Sequence, residues 1–182
     1  SAVPAPTPQT ACTGFAFDSA PEYGTGYRPV GIAARDLDGD GIVDIATANG
    51  NFGVDESGVS ILRGLGQGRF APRVDKFYPS EVIRPQNLYL EDLNGDGKTD
   101  IVLPDGKRYK FVVLINNSSG PGSLEFSEPI TFGDTTFGEF QNMLFADFDG
   151  DGFKDIFASE GSKAYIFRKI GSPTELSYAT RI

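Results

Sequence analysis

Residues 36–47 read DLDGDGIVDIAT, and two further stretches repeat this pattern: residues 92–103 read DLNGDGKTDIVL, and residues 147–158 read DFDGDGFKDIFA. The copies start at positions 36, 92 and 147, so the two intervals are 56 and 55 residues. A nearly constant period of this length indicates an array of like structural units.

Each copy is rich in oxygen donors at fixed positions. Counted from its first Asp, every copy has a carboxylate or amide side chain at positions 1, 3, 5 and 9, and glycine at position 6. Alternating donors on a curled backbone can converge on one hard cation, and glycine permits the positive φ that the curl needs. Position 7 carries unrelated side chains, which is expected if it contributes its backbone carbonyl. The predicted ligands are Asp36, Asp38, Asp40, Ile42 and Asp44; Asp92, Asn94, Asp96, Lys98 and Asp100; and Asp147, Asp149, Asp151, Phe153 and Asp155.

The predicted ion is Ca²⁺, about three per chain. Many oxygen donors on a flexible loop suit six to eight ligands better than the octahedron of Mg²⁺. The loops are not EF-hands, because position 12 is Thr47, Leu103 or Ala158 instead of a bidentate Glu. Asp and Gly also dominate ordinary turns, but three copies that keep the same four positions favour a metal loop.

Charge and composition exclude several classes of function. The formal charge of −9 argues against nucleic acid or an anionic membrane as the main partner. The chain has no His and a single cysteine, Cys12, which excludes an internal disulfide and argues against zinc, haem and iron–sulfur sites. Cys12 is either a free thiol or a link to another chain. No apolar run reaches the roughly 20 residues that span a bilayer.

Short β-type runs surround each loop. PVGIAAR, QNLYLE and QNMLFA precede the loops, and IVDIATA, TDIVLP and KDIFAS follow them. Third runs are VSILRG, FVVLIN and AYIFRK, and fourth runs are GRFAPRVDKFY, LEFSEPITF and ELSYATRI. Four short strands in a repeat of this length are typical of a propeller blade. The predicted fold is therefore all-β, with three four-stranded antiparallel propeller-type blades.

The DxDxDGxxD loop between β-strands, followed by LGQGRFAP (residues 65–72), resembles the FG-GAP/VCBS repeats of integrin α-subunit propellers and of many secreted bacterial proteins. The resemblance covers about residues 27–182. It implies propeller blades, a structural Ca²⁺ in each loop, side-chain ligands at positions 1, 3, 5 and 9, and a secreted or cell-surface setting. The family's closed propellers usually have seven blades, whereas three repeats predict a partial or open propeller.

The repeats predict blades at 27–78, 79–131 and 132–182. They are preceded by an extended Pro/Thr-rich arm at 1–13 and an extra strand of the outer type at 14–26. Open blade faces and free strand edges are normally covered. We therefore expect the N-terminal segment to join a neighbouring subunit's sheet, which makes the chain a self-assembling structural protein that forms a fibre or a ring. The alternative is that 14–23 folds back onto the chain's own third blade.

Other functions compete with this one. A carbohydrate- or protein-binding adhesin or lectin module is the main alternative, with Tyr23, Tyr27, Tyr78, Tyr89 and Tyr109 as stacking candidates. An enzyme is not expected, because the paired carboxylates are already accounted for by the metal loops. Overlapping sequons make Asn116 and Asn117 weak candidates for glycosylation.

Overall fold

The computed structural model of the chain describes residues 21–50, 58–77, 84–106, 110–133, 140, 142–170 and 177–179. These residues contain twelve β-strands and no helix. The all-β fold predicted from the short β-type runs around each loop is confirmed. The strands are β1 (Pro29–Arg35), β2 (Asp44–Asn49), β3 (Gly58–Leu62), β4 (Val74–Phe77), β5 (Tyr89–Glu91), β6 (Asp100–Asp105), β7 (Lys110–Leu114), β8 (Ile130–Phe132), β9 (Asn142–Ala146), β10 (Asp155–Glu160), β11 (Lys163–Ile170) and β12 (Ser177–Ala179).

The strands form three separate four-stranded sheets. Their orders are β1-β2-β3-β4, β5-β6-β7-β8 and β9-β10-β11-β12, and every neighbouring pair is antiparallel. Each sheet is thus a simple meander, which we call blade 1, blade 2 and blade 3 in chain order. The three blades do not close into a barrel, in agreement with the predicted open propeller.

Two apolar cores lie between successive blades. Strand residues alternate between faces, so the middle strands of blade 2 contribute to both cores. Ile101 and Leu103 pack with blade 1, while Val102 and Phe111 pack with blade 3. We call the face of a blade toward the next blade its forward face and the opposite face its backward face. The blades are therefore held together by face-to-face burial.

The fourth strands are shorter than the runs that predicted them. β4 covers only Val74–Phe77 of its run, and β8 covers only Ile130–Phe132. The earlier part of each run makes one isolated bridge, Gly64 to Phe70 in blade 1 and Asn116 to Phe126 in blade 2. Pro72 and Pro129 precede the two strands, and proline cannot donate a ladder hydrogen bond.

The N-terminal segment contacts blade 1 where it is described. The arm at 1–13 and residues 14–20 lie outside the described residues, and residues 21–26 form no strand. The ring of Tyr23 meets that of Phe70 edge-on at 5.1 Å between centroids, and its hydroxyl donates to the carbonyl of Gly68. The guanidinium of Arg73 donates to the carbonyl of Thr25. Residues 23–25 therefore lie against the β3–β4 connection of blade 1.

Candidate metal centres

The first aspartate of each loop organises the turn between the first two strands of its blade. One of its carboxylate oxygens accepts the N–H of position 4, and the other accepts the N–H of position 6. The two distances are 2.7 and 2.8 Å for Asp36, 2.7 and 2.9 Å for Asp92, and 2.6 and 2.9 Å for Asp147. The three loops therefore have the same backbone course.

Positions 4 and 6 are glycine in all three loops, and both have positive φ. In the first loop φ is 78° at Gly39 and 82° at Gly41, and the other loops have values between 78° and 91°. A side chain is strained in this region, so glycine is needed at both positions. The loop pattern predicted the glycine at position 6; the need for glycine at position 4 emerges only from the structure, although Gly39, Gly95 and Gly150 repeat in every copy.

The structure brings together the side chains at positions 1, 3 and 5. Oxygens of Asp36, Asp38 and Asp40 lie within 4.8 Å of one another, and the same holds for Asp147, Asp149 and Asp151. Two groups of predicted ligands thus have the spacing to hold a metal ion.

The second loop has one carboxylate fewer at these positions. Its position 3 is Asn94, whose amide oxygen accepts the N–H of Asp96 at 3.0 Å and whose amide nitrogen donates to the Asp96 carboxylate at 3.2 Å. The amide oxygen is a Ca²⁺ donor without charge. We therefore expect the second loop to attract a cation less strongly than the other two.

The aspartate at position 9 ties the loop to the third strand of its blade. In blade 1, the two oxygens of Asp44 accept the N–H groups of Leu37, at 2.8 Å, and Gly64, at 2.7 Å. Asp100 and Asp155 repeat the arrangement, with second donors Asn116 at 2.9 Å and Lys169 at 2.8 Å. All three carboxylates are buried. The position-9 aspartate therefore connects the metal loop to the region of the third strand in each blade. Its additional role as a metal ligand remains a prediction.

The environment shifts the pKa values of several of these carboxyl groups. Burial raises the pKa of Asp44 and raises that of Asp100 to about 6, although backbone N–H donors partly oppose the shift in both. The N–H of Gly152 is the main cause of the lowered pKa of Asp147. Burial disfavours the charged form, so a nearby cation would stabilise the buried carboxylates.

Position 7 contributes its N–H to the turn. It donates to a carboxylate oxygen of position 5, at 2.7 Å from Ile42, 2.8 Å from Lys98 and 2.8 Å from Phe153. The position-5 carboxylate thus has one oxygen directed to the backbone, and in the second loop its other oxygen accepts the side-chain amide of Asn94. Coordination by the position-7 carbonyl remains a prediction.

Blade 2 covers the first loop. The N–H of Gly122 donates to Asp38 at 2.7 Å, and the side-chain amide of Asn116 donates to the carbonyls of Leu37, at 2.8 Å, and Thr99, at 2.9 Å. The guanidinium of Arg63 lies 4.0 Å from the carboxylates of Asp38 and Asp40. Asp38 is consequently buried and held from two directions.

The third loop has a different environment. Its position-2 residue, Phe148, is 47 % exposed, whereas the equivalent Leu37 and Leu93 are 2 % and 1 % exposed. Asp147, Asp149 and Asp151 are also exposed. Arg168 lies 3.5 Å from Asp149. Among the described residues, no neighbouring blade covers this loop as blade 2 covers the first.

The residues of the first and third loops fit a hard cation. Each backbone N–H occupies one lone pair of a carboxylate oxygen, and each oxygen has two. The donors are all oxygen atoms, which suits Ca²⁺ and does not suit metals that prefer sulfur or imidazole. Asp36, Asp38 and Asp40 would hold one ion, and Asp147, Asp149 and Asp151 another.

Asn116 is a bridge between blades, which argues against it as a glycan acceptor. Asn116 is buried, and its side-chain amide nitrogen donates to the carbonyls of Leu37 and Thr99. Asn117 is exposed, so the prediction of glycosylation rests on that residue. Nothing in the sequence distinguishes a buried sequon from an exposed one.

Two of the five predicted sugar-stacking tyrosines, Tyr23 and Tyr89, are used for packing. The hydroxyl of Tyr89 accepts the N–H of Met143 at 3.0 Å, which joins blades 2 and 3, and its ring packs with Phe145 at 5.6 Å. Tyr23 packs on Phe70. Tyr27 is 62 % exposed, and Tyr78 and Tyr109 lie outside the described residues.

Comparisons with known proteins agree with the repeated loop. Residues 92–158 match the family profile of the FG-GAP-like repeat. No curated protein sequence matches the chain significantly. Within the described segments, no helix is long and apolar enough to cross a membrane. The matched region runs from the second loop to the third, so residues 92–158 are an FG-GAP-like repeat, as the sequence resemblance predicted.

Proposed function

We propose that the chain is an extracellular calcium-binding repeat protein with a structural role. The observation that carries the proposal is the convergence of Asp36, Asp38 and Asp40 on a turn whose hydrogen bonds recur in all three blades. FG-GAP repeats are typically extracellular and often bind calcium, and extracellular modules commonly bind it at about 10⁻⁴–10⁻³ M.

The ion's proposed task is to stabilise the connection between the first and second strands. Three carboxylates held within 4.8 Å repel one another, and a divalent cation offsets that repulsion. In blades 1 and 2 the position-9 carboxylate accepts the N–H of position 2 and the N–H of the second residue after the third strand, so an ordered loop also supports the end of that strand. The proposed role involves no catalysis.

A calcium titration tests this role. Isothermal titration calorimetry should detect binding in metal-free protein, and calcium should raise the melting temperature while EDTA reverses the rise. The double variant Asp40→Asn/Asp151→Asn should lose most of the effect, since the amide oxygen can keep the position-7 hydrogen bond while the charge is removed. An unchanged melting temperature with and without EDTA would refute the proposal.

The proposed structural role includes self-assembly through the N-terminal arm into a fibre or a ring. Its support is the Pro/Thr-rich composition of residues 1–13, together with the contact that Tyr23 and Thr25 make with blade 1 farther along the same N-terminal segment. Deleting residues 1–20 leaves this contact intact. Light scattering should show smaller particles for the deleted form, and equal sizes would end this part of the proposal.

Binding of a glycan or a protein is the second candidate. A cleft of about 270 Å³ between the first and second loops favours it, because the cleft is lined by Asp36, Asp38, Lys98, Ser118 and Ser119 and so presents polar groups to a hydroxylated ligand. Glycan-array binding that disappears in Ser119→Trp, which would fill the cleft, would support this candidate. An array without signal would remove the glycan half of it.

A further inference from the structure

We propose that residues 23–28 are a cap for the blade array: they cover the middle strands of the backward face of blade 1 and keep any other blade from packing there. We call these residues the strap. Neither calcium binding nor residues 1–20 are needed for this role. It follows from a comparison of the backward faces of the three blades.

The backward faces of blades 2 and 3 are apolar where the preceding blade covers them. Position 12 of the repeat and its partner on the third strand are Leu103 and Val112 in blade 2, and both belong to the core shared with blade 1. The corresponding pair in blade 3, Ala158 and Tyr165, belongs to the core shared with blade 2. An apolar pair at these positions therefore receives the preceding blade.

Blade 1 has a polar pair at the same positions. Thr47 faces Ser60 in the strand register, and Asn49 lies on the same face because it is two residues farther along β2. All three are buried, at 1 %, 1 % and 2 % exposed, and the hydroxyl of Thr47 donates to the amide oxygen of Asn49 at 3.3 Å. Buried polar groups need hydrogen-bond partners, which an apolar blade face does not supply. This face is therefore built for a different cover.

The polar side chains of this face form a hydrogen-bonded chain that ends on the strap. The amide of Asn49 donates to the hydroxyl of Ser60 at 2.8 Å, and that hydroxyl donates to the carboxylate of Asp75 at 2.5 Å. Asp75 also accepts the guanidinium of Arg73 at 2.9 Å, and Arg73 in turn donates to the carbonyl of Thr25. The strap thus supplies the backbone acceptor at the end of the chain of hydrogen bonds.

The strap also approaches the face closely at its other end. A Cβ at Gly26 would overlap the side-chain amide of Asn49, so only glycine fits there. The N–H of Gly50 donates to the carbonyl of Arg28 at 3.1 Å. Arg28 has a φ of 51°, a conformation that residues other than glycine seldom adopt. Contacts with blade 1 therefore hold the strap in its course just before β1 begins.

The strap and another blade cannot occupy this face together. Sheets that pack face to face lie about 10 Å apart, and their side chains fill the space between them. The strap takes up this space where Gly26 packs against Asn49. The terminal repeat of an array needs a polar outer face for solubility. Blade 1 meets this need with its polar pair and with the strap that covers it.

Hydrogen–deuterium exchange of the full-length chain tests the cover. Gly26→Val should displace the strap, and the amide of Gly50 should then exchange about 10-fold faster or more, because its acceptor on Arg28 moves away. Gly24→Val is the matched control. A Cβ at Gly24 meets only Arg73, at 3.6 Å, so the Gly50 amide should keep its protection. Equal exchange of Gly50 in the two variants would overturn the proposed cover.

A swap of the polar pair tests the exclusion of other blades. Thr47→Leu/Ser60→Val gives blade 1 the apolar pair of blade 2 and removes the hydrogen bond from Ser60 to Asp75. The swap should release the strap and let the forward face of blade 3 in another copy pack on blade 1. Analytical ultracentrifugation of the full-length swapped variant should therefore show larger particles than the unmodified chain forms.

Leu144→Glu in the swapped variant distinguishes this contact from other association. Leu144 pairs with Phe157 on the forward face of blade 3 and is 64 % exposed, so a charge there should reverse the growth in particle size. An unchanged size in the swapped variant, or growth that persists with Leu144→Glu, would overturn the exclusion. Circular dichroism confirms that each variant is folded. Loss of calcium binding or of arm-dependent assembly would leave the difference between Gly26→Val and Gly24→Val unaffected.

Discussion

The first and third metal loops share a hydrogen-bond pattern but have different surroundings. In both, the first aspartate accepts the N–H groups of positions 4 and 6 at distances between 2.6 and 2.9 Å. Asp38 of the first loop is buried under blade 2, while its counterpart Asp149 lies in an exposed cluster. The loop sequence therefore determines the backbone, and the neighbouring blade determines how firmly the carboxylates are held.

Calcium removal should give the largest effect and the clearest separation of the two loops. At calcium concentrations 100-fold above the Kd, each occupied loop should add about 2.7 kcal/mol to the free energy of unfolding. The first loop should bind more tightly than the third, because Gly122 holds Asp38 in place before the ion arrives.

Calorimetry on two matched variants checks the order of affinity. Asp40→Asn should remove the tighter site and Asp151→Asn the weaker one. Equal affinities, or tighter binding in the third loop, would show that the cover over the first loop contributes nothing to metal affinity.

Asp100→Ala should cost about 3–5 kcal/mol of stability in calcium-free buffer. The substitution leaves two buried N–H groups, those of Leu93 and Asn116, without their charged acceptor. Urea unfolding measures the loss. Asp96→Ala is the matched control in the same loop, and it should cost only about 1 kcal/mol because the two hydrogen bonds that it removes are exposed to solvent. Similar losses of stability in both variants would show that the buried hydrogen bonds of Asp100 stabilise the blade no more than the exposed ones of Asp96.

Asn116→Ala should cost about 2 kcal/mol, because the carbonyls of Leu37 and Thr99 lose their donor inside an interblade contact. It should also lower calcium affinity at the first loop and leave the third loop unchanged. Chemical unfolding and calorimetry give the two readouts. Asn117→Ala, at the exposed neighbour, should change neither, and a matching effect there would contradict the bridging role.

Gly39→Ala and Gly150→Ala should give the smallest effect, about 1–2 kcal/mol each, and the two costs should be equal. Both glycines have positive φ, and a Cβ at either meets no atom within 4 Å, so the cost is conformational strain alone. Thermal unfolding provides the measurement, with Gly24→Ala as a control at a glycine without positive φ. A larger cost at Gly39 would show that the cover of blade 2 also constrains the backbone.

The fold and the positions of the loops could be predicted from the sequence because both depend on local, repeated patterns. The four runs of each repeat predicted four strands, and the spacing of Asp and Gly predicted the curled loop. Gly39 and its equivalents also repeat in every copy, so the requirement for glycine at position 4 could have been predicted from the sequence as well.

The remaining features depend on contacts between distant residues. Asp44 and its equivalents accept an N–H from a residue 14 to 20 positions away, and the three donors are Gly64, Asn116 and Lys169, which have no common side chain. Asn116 resembles an exposed sequon, yet it bridges to a residue 79 positions earlier. Backbone donors and interblade packing have no signature in a single sequence.

The anchoring of Tyr23 and Thr25 beside the β3–β4 connection determines how tension on the N-terminal segment would enter the molecule. Its two hydrogen bonds join residues that are 45 and 48 positions apart in the chain. A pull from the N-terminal side would load these contacts before it loads β1, so the first structural response to tension is expected at the β3–β4 connection of blade 1.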